Sequence, residues 1–529
     1  MEFVTDPPIS VKMQKMKQRV QWQHPLIQQR GIDQTELFVD DGFAQESEFS
    51  FLVIGDSGSG SHRGHNPQRQ VAELMLQQSA DCRFVLHTGD VIYLVGSSEY
   101  YFKNFIDPYR EFLVGGDRPH AIPFDRITFQ MPFFLVPGNH DYYDLPWLYG
   151  LVAQTVLPIR YLLESRIDLD VGWRGSQQGK AYAQAFLDYL LAIDNPTLLA
   201  QHLDRHYTAT GAQGRCLRYQ PSQFTRLPNR YYQFRYGGID FFALDSNTFN
   251  APMPLSHSAS GEAQRRILEQ RRAEVQQQKQ ELLQRSMQLN SKQLDQAEQL
   301  DDCRTKLEQL EEVEKDINKQ LATDRSPIID VEQLDWLKQR LIESWFTEEV
   351  RGRVLFFHHP PYVTEATKWQ QGQTLAVRQR LRSVLDQVAA AVGEKPQGRP
   401  IVDLVLNGHA HCLEYLRTGD TGHADAHTNW IVCGGSGYSL RRQRSEGPEL
   451  MEVSEATKGR LRSVATSHWF VGRSGQGLYK RRPYSFVRID VQGDKIPRFV
   501  VRPYVAERYR HQWYEQSLPI IQLENQPVI

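Results

Sequence analysis

Short apolar runs followed closely by a potential ligand side chain, four of the five after a glycine, recur along this chain of 529 residues. Phe51–Ile54, Phe84–Leu86, Phe133–Val136, Val354–Phe357 and Val402–Leu406 each read as a buried strand. A different period governs 261–325. After Gly261 this stretch holds no proline and no further glycine, and Gln, Glu, Lys, Arg and Leu dominate it. Leu268, Val275, Leu282 and Leu289 fall seven apart. Beyond a phase break at Asn290-Ser291, Leu300, Cys303, Leu307, Leu310, Ile317 and Leu321 follow a 3-4 alternation, with Glu314 the one polar intruder. That spacing marks helices paired along a seam. It predicts an antiparallel helical hairpin with arms of about 30 residues, each about 45 Å long, inserted between Asn247 and Val331. Asn290 or Ser291 would cap the second arm. The seam either closes internally or pairs with another copy or a protein partner.

The strings that follow the five apolar runs carry the chemistry. They read Gly55-Asp56-Ser57-Gly58, Gly89-Asp90-Val91-Ile92-Tyr93, Gly138-Asn139-His140-Asp141, Phe357-His358-His359-Pro360 and Gly408-His409-Ala410-His411. Carboxyl ends of parallel strands face the crevice where α/β proteins place their chemistry. Asp56, Asp90, Tyr93, Asn139, His358, His409 and His411 offer carboxylate, phenolate, amide and imidazole but no thiolate, which suits iron, manganese or zinc. Seven ligands exceed the needs of one four-coordinate ion and fit two ions sharing a carboxylate. Paired ions roughly 3.5–4 Å apart clamp the attacking and leaving oxygens of a displacement at phosphorus. Taken singly, each string has a plainer reading, because Gly-Asp pairs are usually turns. Their conjunction, in order and after strands, points to a metal centre.

The ordered set GD, GDxxY, GNHD, HxP and GHxH resembles the calcineurin-like metallophosphoesterases, and within them the purple acid phosphatases. Two departures from the general pattern indicate that branch. Gly58 stands where most of the superfamily has a histidine, and Tyr93 stands where the purple branch has a tyrosine. The resemblance implies iron(III) held by Asp56, Asp90, Tyr93 and His411. A divalent iron, manganese or zinc ion would be held by Asp90, Asn139, His358 and His409, with Asp90 bridging. His140 would touch the substrate phosphate or the leaving oxygen, which makes His140 and Asp90 the catalytic candidates. Small purple phosphatases use a further histidine shortly after HxP, but Tyr362–Leu375 contains none, so leaving-group protonation falls to His359 or His140. His359, and His62 and His65 in the loop after Asp56, are candidate substrate contacts, although the two loop histidines read more readily as ordinary loop residues. His202 and His206, at i, i+4 without a third ligand nearby, are taken as structural.

The implied fold is α/β, a four-layer α-β-β-α sandwich of two mixed sheets with an inserted helical hairpin. Its parts are an N-terminal extension (1–48), a first catalytic segment (49–256), the hairpin (257–327) and a second catalytic segment with a C-terminal tail (328–529). An insertion at about 145–229 is expected to contain a helix over Lys180–Ile193 and a loop over Gly211–Pro228, and either to roof the pocket or to decorate the surface. Val331–Ile342 would be a helix. Ile431–Cys433, Ser485–Asp490 and Arg498–Val501 would be late strands, with the tail beyond Tyr504 wrapping back.

Composition narrows the partners. Lys and Arg number 61 against 63 Asp and Glu, which gives no overall electrostatic footprint for nucleic acid or membrane. The local runs Arg441-Arg442-Gln443-Arg444 and Lys480-Arg481-Arg482 read as solvated faces. Five scattered cysteines imply no disulfide framework, and the first 34 residues lack the apolar stretch of a secretory signal. The expectation is a cytoplasmic hydrolase of small phosphomonoesters, acting by attack of a metal-bound hydroxide. A phosphodiesterase or nucleotide hydrolase of the same fold is the alternative. A phosphatase-fold interaction protein working through 261–325 is the rival from another class.

Overall fold

The computed structural model describes residues 4–58, 65–145, 174–290, 293–323, 326–454 and 460–523. In chain order the strands are β1 (Ile32–Val39), β2 (Phe49–Ile54), β3 (Cys82–His87), β4 (Phe133–Leu135), β5 (Ala209–Gly211), β6 (Gly214–Tyr219), β7 (Tyr232–Tyr236), β8 (Ile239–Leu244) and β9 (Gly352–Phe357). They continue with β10 (Leu404–Asn407), β11 (Leu413–Thr418), β12 (Asn429–Cys433), β13 (Glu449–Ser454), β14 (Arg460–Val471), β15 (Arg481–Gln492), β16 (Arg498–Tyr509), β17 (Gln512–Ser517) and β18 (Ile521–Gln522). One sheet runs β17-β16-β15-β2-β3-β4, with β18 also on β16. The other runs β13-β14-β11-β12-β10-β9-β8-β7-β1-β6-β5. Both are mixed: β2, β3 and β4 are parallel, as are β8, β9, β10 and β12, while β15, β16 and β17 run antiparallel.

The strands at the centre are buried on both faces, and the period of two sorts their side chains. In β8 and β9, Phe241, Ala243, Val354 and Phe356 enter the core between the sheets. Phe242, Leu244, Leu355 and Phe357 face outward onto helices Val331–Phe346 and Gly372–Val392, which contribute Leu337, Leu341, Val377 and Leu385. Phe51 and Phe84 meet Phe241 across the sandwich at 5.5 and 5.4 Å between ring centroids. Helix Pro67–Gln78 covers the outer face of the smaller sheet, burying Val71 and Met75. The result is the four-layer α-β-β-α sandwich.

Several local expectations shift. The segment expected as loop over Gly211–Pro228 contains β6, which finds a parallel partner in β1 from the N-terminal segment. That partner is 180 residues away in sequence and leaves no local signal. The helix expected over Lys180–Ile193 stops at Phe186, and a single 3-10 turn follows at Leu190–Ala192. Helix 331 runs on to Phe346, the Arg498 strand continues to Tyr509, and the tail returns along β16 as β17 and β18. The described part of the 145–229 insertion packs its helix into the main core and lengthens the larger sheet; 146–173 lie outside the described residues.

Between Asn247 and Val331 the chain forms two helices, an outgoing arm Ala259–Met287 and a returning arm Leu294–Ala322. Contacts Arg265–Leu321, Arg272–Asn318 and Gln276–Glu314 run in opposite order along them, so the arms are antiparallel. Leu268, Val275 and Leu282 meet Leu310, Val313, Ile317 and Leu321, so the apolar seam closes internally. Glu314, the intruder, sits at its flank and bonds Lys279 at 2.7 Å and Gln276 at 2.8 Å. The expected cap at Asn290 or Ser291 is not used: Gln293 precedes the helix, without a side-chain bond, and Ser291 lies outside the described residues. Among the described residues, no helix is long and apolar enough to cross a membrane.

Candidate metal centre

The five strings converge from both sheets. Asp56, Asp90 and Asn139 follow β2, β3 and β4; His358, His409 and His411 follow β9 and β10. Asp56, Asp90 and His409 hold left-handed backbone, with φ of 51°, 55° and 65°, a strained conformation that clusters at functional sites. Glycine makes these turns possible. A Cβ on Gly89 (φ 99°) would stand 2.8 Å from His358 Nδ1. At Gly58, one of the two family departures, a Cβ would stand 2.8 Å from the Tyr93 backbone nitrogen. Glycine at 58 thus lets this turn lie directly against the backbone of the Asp90–Tyr93 loop.

The donor atoms crowd around too few protons. The Tyr93 hydroxyl lies 2.8 Å from Asp56 Oδ1, 2.7 Å from Asp90 Oδ2 and 3.0 Å from His411 Nε2. His411 Nδ1 is 2.9 Å from the Ser439 carbonyl, which can only accept, so Nδ1 carries the hydrogen and Nε2 keeps its lone pair. One hydroxyl proton therefore faces three acceptors. His358 repeats the pattern. Its Nδ1 donates to the Thr88 carbonyl at 2.9 Å, and its Nε2 faces Asn139 Oδ1 at 2.9 Å and Asp90 Oδ2 at 3.2 Å. Asp56, Asp90, Tyr93 and His358 are essentially buried, and buried like charges without a counter-charge are costly. Around the Tyr93 hydroxyl the nearest compensation is a proton on His358, a place a metal cation would fill, and the oxygen and imidazole donors fit a hard or borderline one.

Protonation reflects the same shortage. Burial pushes the Asp56 carboxyl up to about 7. Burial opposes a charged His358, yet the Asp90 and Asp56 carboxylates outweigh it and raise that imidazole to about 9. Burial also works against the charged form of Asp90, but His358 and His140 beside it hold its carboxyl below the usual range. His409 and His411 are kept neutral, chiefly by burial. Atoms of Asp56, Asp90 and His358, and of His358, His359 and His409, lie within 4.8 Å of one another in two groups.

The other candidates separate. His140 donates its backbone N–H to Asp90 Oδ1 at 2.8 Å, and its Nδ1 bonds the Leu94 carbonyl, leaving Nε2 uncommitted by those bonds. His359 sits beside the cluster, but its Nδ1 is 2.8 Å from Ser246 Oγ and its Nε2 is 3.2 Å from Asn250 Nδ2. The His65 ring lies against Trp513 of β17, with centroids 6.3 Å apart, and His62 lies outside the described residues. His202 bonds Asp188 at 2.9 Å.

Some supporting residues escaped the sequence reading. Asp141, part of the GNHD string, accepts from the Gly138 and Asp90 amides at 2.8 and 3.1 Å and from Val91 at 3.2 Å, tying two motif loops together. Burial, with Asp90 beside it, raises its carboxyl to about 8. Tyr438, just after the Gly434–Gly437 loop, stacks on Tyr93 at 3.8 Å and 4°.

The larger surprise is the returning arm, which lies along the catalytic body. Its polar residues Glu298, Asp301, Asp302, Thr305, Glu312 and Asp316 recur at helical spacing and each finds a partner there, while Lys319 pairs with Asp6 of the N-terminal extension. Lys480 binds Asp301, Asp302 and Glu298 at 2.7, 2.8 and 3.2 Å, and Arg482 binds Glu298 and Asp301 at 2.9 Å. Arg473 binds Asp302 at 2.6 Å, and Arg441 donates to the Thr305 carbonyl at 3.0 Å. Glu312 pairs with Lys368, and Asp316 accepts from the Gly372 and Gln373 amides. Arg441, Lys480 and Arg482 are therefore not solvated faces; they are the cations that seat the arm.

With this geometry in hand, residues 49–260 match the family described as calcineurin-like phosphoesterase. Over those residues the chain is similar to the metallophosphoesterases, and a purple acid phosphatase is among its relatives. Purple acid phosphatase 4 of Arabidopsis thaliana is 35% identical over 123 residues, 23% of this chain; the chain spans only 30% of the length of that relative. A purple acid phosphatase from yellow lupin (Lupinus luteus) seeds superposes with a TM-score of 0.40 at 12% identity, over 90% of this chain and 54% of that one. A dimetal phosphatase from Danio rerio gives 0.34 at 13% identity, over 90% of this chain and 99% of that one. The family implies a dinuclear metal centre.

Proposed function

We propose that this chain hydrolyses phosphomonoesters at two metal ions. Asp56, Asp90, Tyr93 and His411 would hold one ion, iron(III), and Asp90, Asn139, His358 and His409 would hold a divalent partner. The observation that carries this reading is the Tyr93 hydroxyl, with one proton and three acceptors around it. Bound there, the ions would supply Lewis acidity toward the phosphoryl oxygens and toward water.

The rest falls to the chain's own residues. Asp141 and the Thr88 and Ser439 carbonyls hold the donor groups in register from behind, the support that orients ligands in metal sites. Leaving-group protonation is assigned to His140. The Ser246 and Asn250 bonds occupy both ring nitrogens of His359, whereas His140 Nε2 is not used by the bonds that orient its ring.

Metal analysis and the visible spectrum of the purified chain test this, together with turnover of monoesters against bis-esters. Two metal equivalents, a violet band lost in Tyr93→Phe and monoester turnover are expected. Absence of bound transition metal together with absence of hydrolysis would refute it. Colourless ions with preferential diester turnover would reject both the iron assignment and the substrate class.

A further inference from the structure

The returning arm delivers a carboxylate to the edge of the candidate metal centre. Glu312 lies 3.6 Å from His409 Nε2 and pairs with Lys368. The Lys368 side chain is 2% exposed, and its Nζ stands 3.0 Å from the same His409 nitrogen. Gln373 Nε2 reaches that nitrogen at 2.9 Å, and the Gln373 and Gly372 amides donate to Asp316 of the arm at 3.2 and 2.9 Å. One turn of the inserted helix and one turn of the catalytic body thus meet over His409.

A buried ammonium is stable only beside an anion. Lys368 has one in Glu312, and a substrate phosphoryl group arriving beside His409 would be another. We propose that Lys368 binds the phosphoryl group of the substrate and that Glu312, on the inserted arm, is the internal anion this group displaces. The inference rests on the phosphoesterase reading and narrows its substrates. The exchange replaces one carboxylate charge with the two of a phosphomonoester, whereas a diester brings a single charge and a second substituent to fit beneath the arm. The hairpin is then a cap that compact, dianionic phosphates open for themselves.

The test uses the metal-loaded full chain and inorganic phosphate as probe, with calorimetric titration and hydrogen exchange of the arm as readouts. Glu312→Gln removes the internal competitor. If the paired state outweighs the open one by about ten to one, phosphate should bind about tenfold tighter. Lys368→Met should weaken phosphate about 10- to 100-fold, and Lys368→Arg should retain binding. Phosphate should raise exchange of the 305–316 amides in the parent chain and add nothing in Glu312→Gln. Should that variant misfold, the exchange response of the parent chain and the two Lys368 variants still decide the matter. Phosphate affinity unchanged in Lys368→Met, or phosphate slowing exchange in the arm, would overturn the inference. A parent chain that hydrolyses phosphoesters while Lys368→Met binds phosphate normally overturns this inference alone. A parent chain that neither hydrolyses phosphoesters nor binds phosphate overturns the phosphoesterase reading and this inference together.

Discussion

Replacing Lys480 by methionine should unseat the returning arm without disturbing the sandwich. The Lys480 side chain is 1% exposed and serves Asp301, Asp302 and Glu298 at once. Methionine keeps most of the apolar stem and removes the charge. Stripping one partner from a buried ion pair costs about 3–5 kcal/mol, because the other charge is left without compensation. Here the cost is smaller. Arg482 still reaches Glu298 and Asp301, Arg473 still reaches Asp302, and Asp301 is 48% exposed. We expect about 2–3 kcal/mol, allowing for solvent at the rim. At 1.4 kcal/mol per decade this is a roughly 30- to 150-fold rise in local opening of the arm. Hydrogen exchange of the 298–316 amides reads that opening directly, and core strands β8 and β9 serve as internal reference. Exchange in the arm within about threefold of the parent chain, on a scale where 1.4 kcal/mol is tenfold, would show that the acidic stripe does not seat it.

Two further outcomes are expected. Arg230 links Asp245 after β8 to Asp330, the N-cap of helix Val331–Phe346, with all three side chains 1% exposed or less. Arg230→Met should therefore lower unfolding stability in urea by about 3–5 kcal/mol, and a loss below about 1 kcal/mol, the scale of an exposed pair, would contradict the buried-triad account. Metal affinity should depend on pH with a definite sign. Ligands must shed protons to bind; the Tyr93 phenol, which burial and the Asp56 and Asp90 carboxylates hold well above its ordinary range, and His358, raised to about 9, each release one between pH 7 and 9, and Asp56, raised to about 7, adds a third below that. Summed over both ions, affinity should thus fall about a hundredfold per unit on descending from pH 9 to 7 and about a thousandfold per unit below it. Chelator competition measures this, and a flat profile from pH 6 to 8 would reject it.

Much of the centre was legible because strand-end ligands are local words. Gly-Asp, Gly-Asn-His-Asp and Gly-His-Ala-His each combine a backbone requirement with a ligand in adjacent residues. Legibility failed where the partner was distant. Strand β6 is sheet only because β1 lies beside it. The placement of the two insertions was likewise decided by distant contacts. The described part of the 145–229 insertion, expected to roof the pocket or decorate the surface, extends a sheet, and the hairpin, whose seam closes internally, also returns to the candidate centre. The leucine spacing of 268–321 announced a seam, but charge at helical spacing looks the same whether it faces water or an opposing row of cations. Arg441, Lys480 and Arg482 read as solvated, whereas Lys480 and Arg482 lie against Glu298 and Asp301 of the arm and Arg441 donates to its Thr305 carbonyl.

By itself, then, the sequence determined the candidate ligands at the strand ends, the helix periods and the class of chemistry, because these depend on neighbours within a few residues. Only the tertiary structure decided which way the hairpin folds, which cations its acids meet and that Glu312 reaches Lys368. Electrostatic pairing acts between surfaces brought together from hundreds of residues apart, and no local spacing records it.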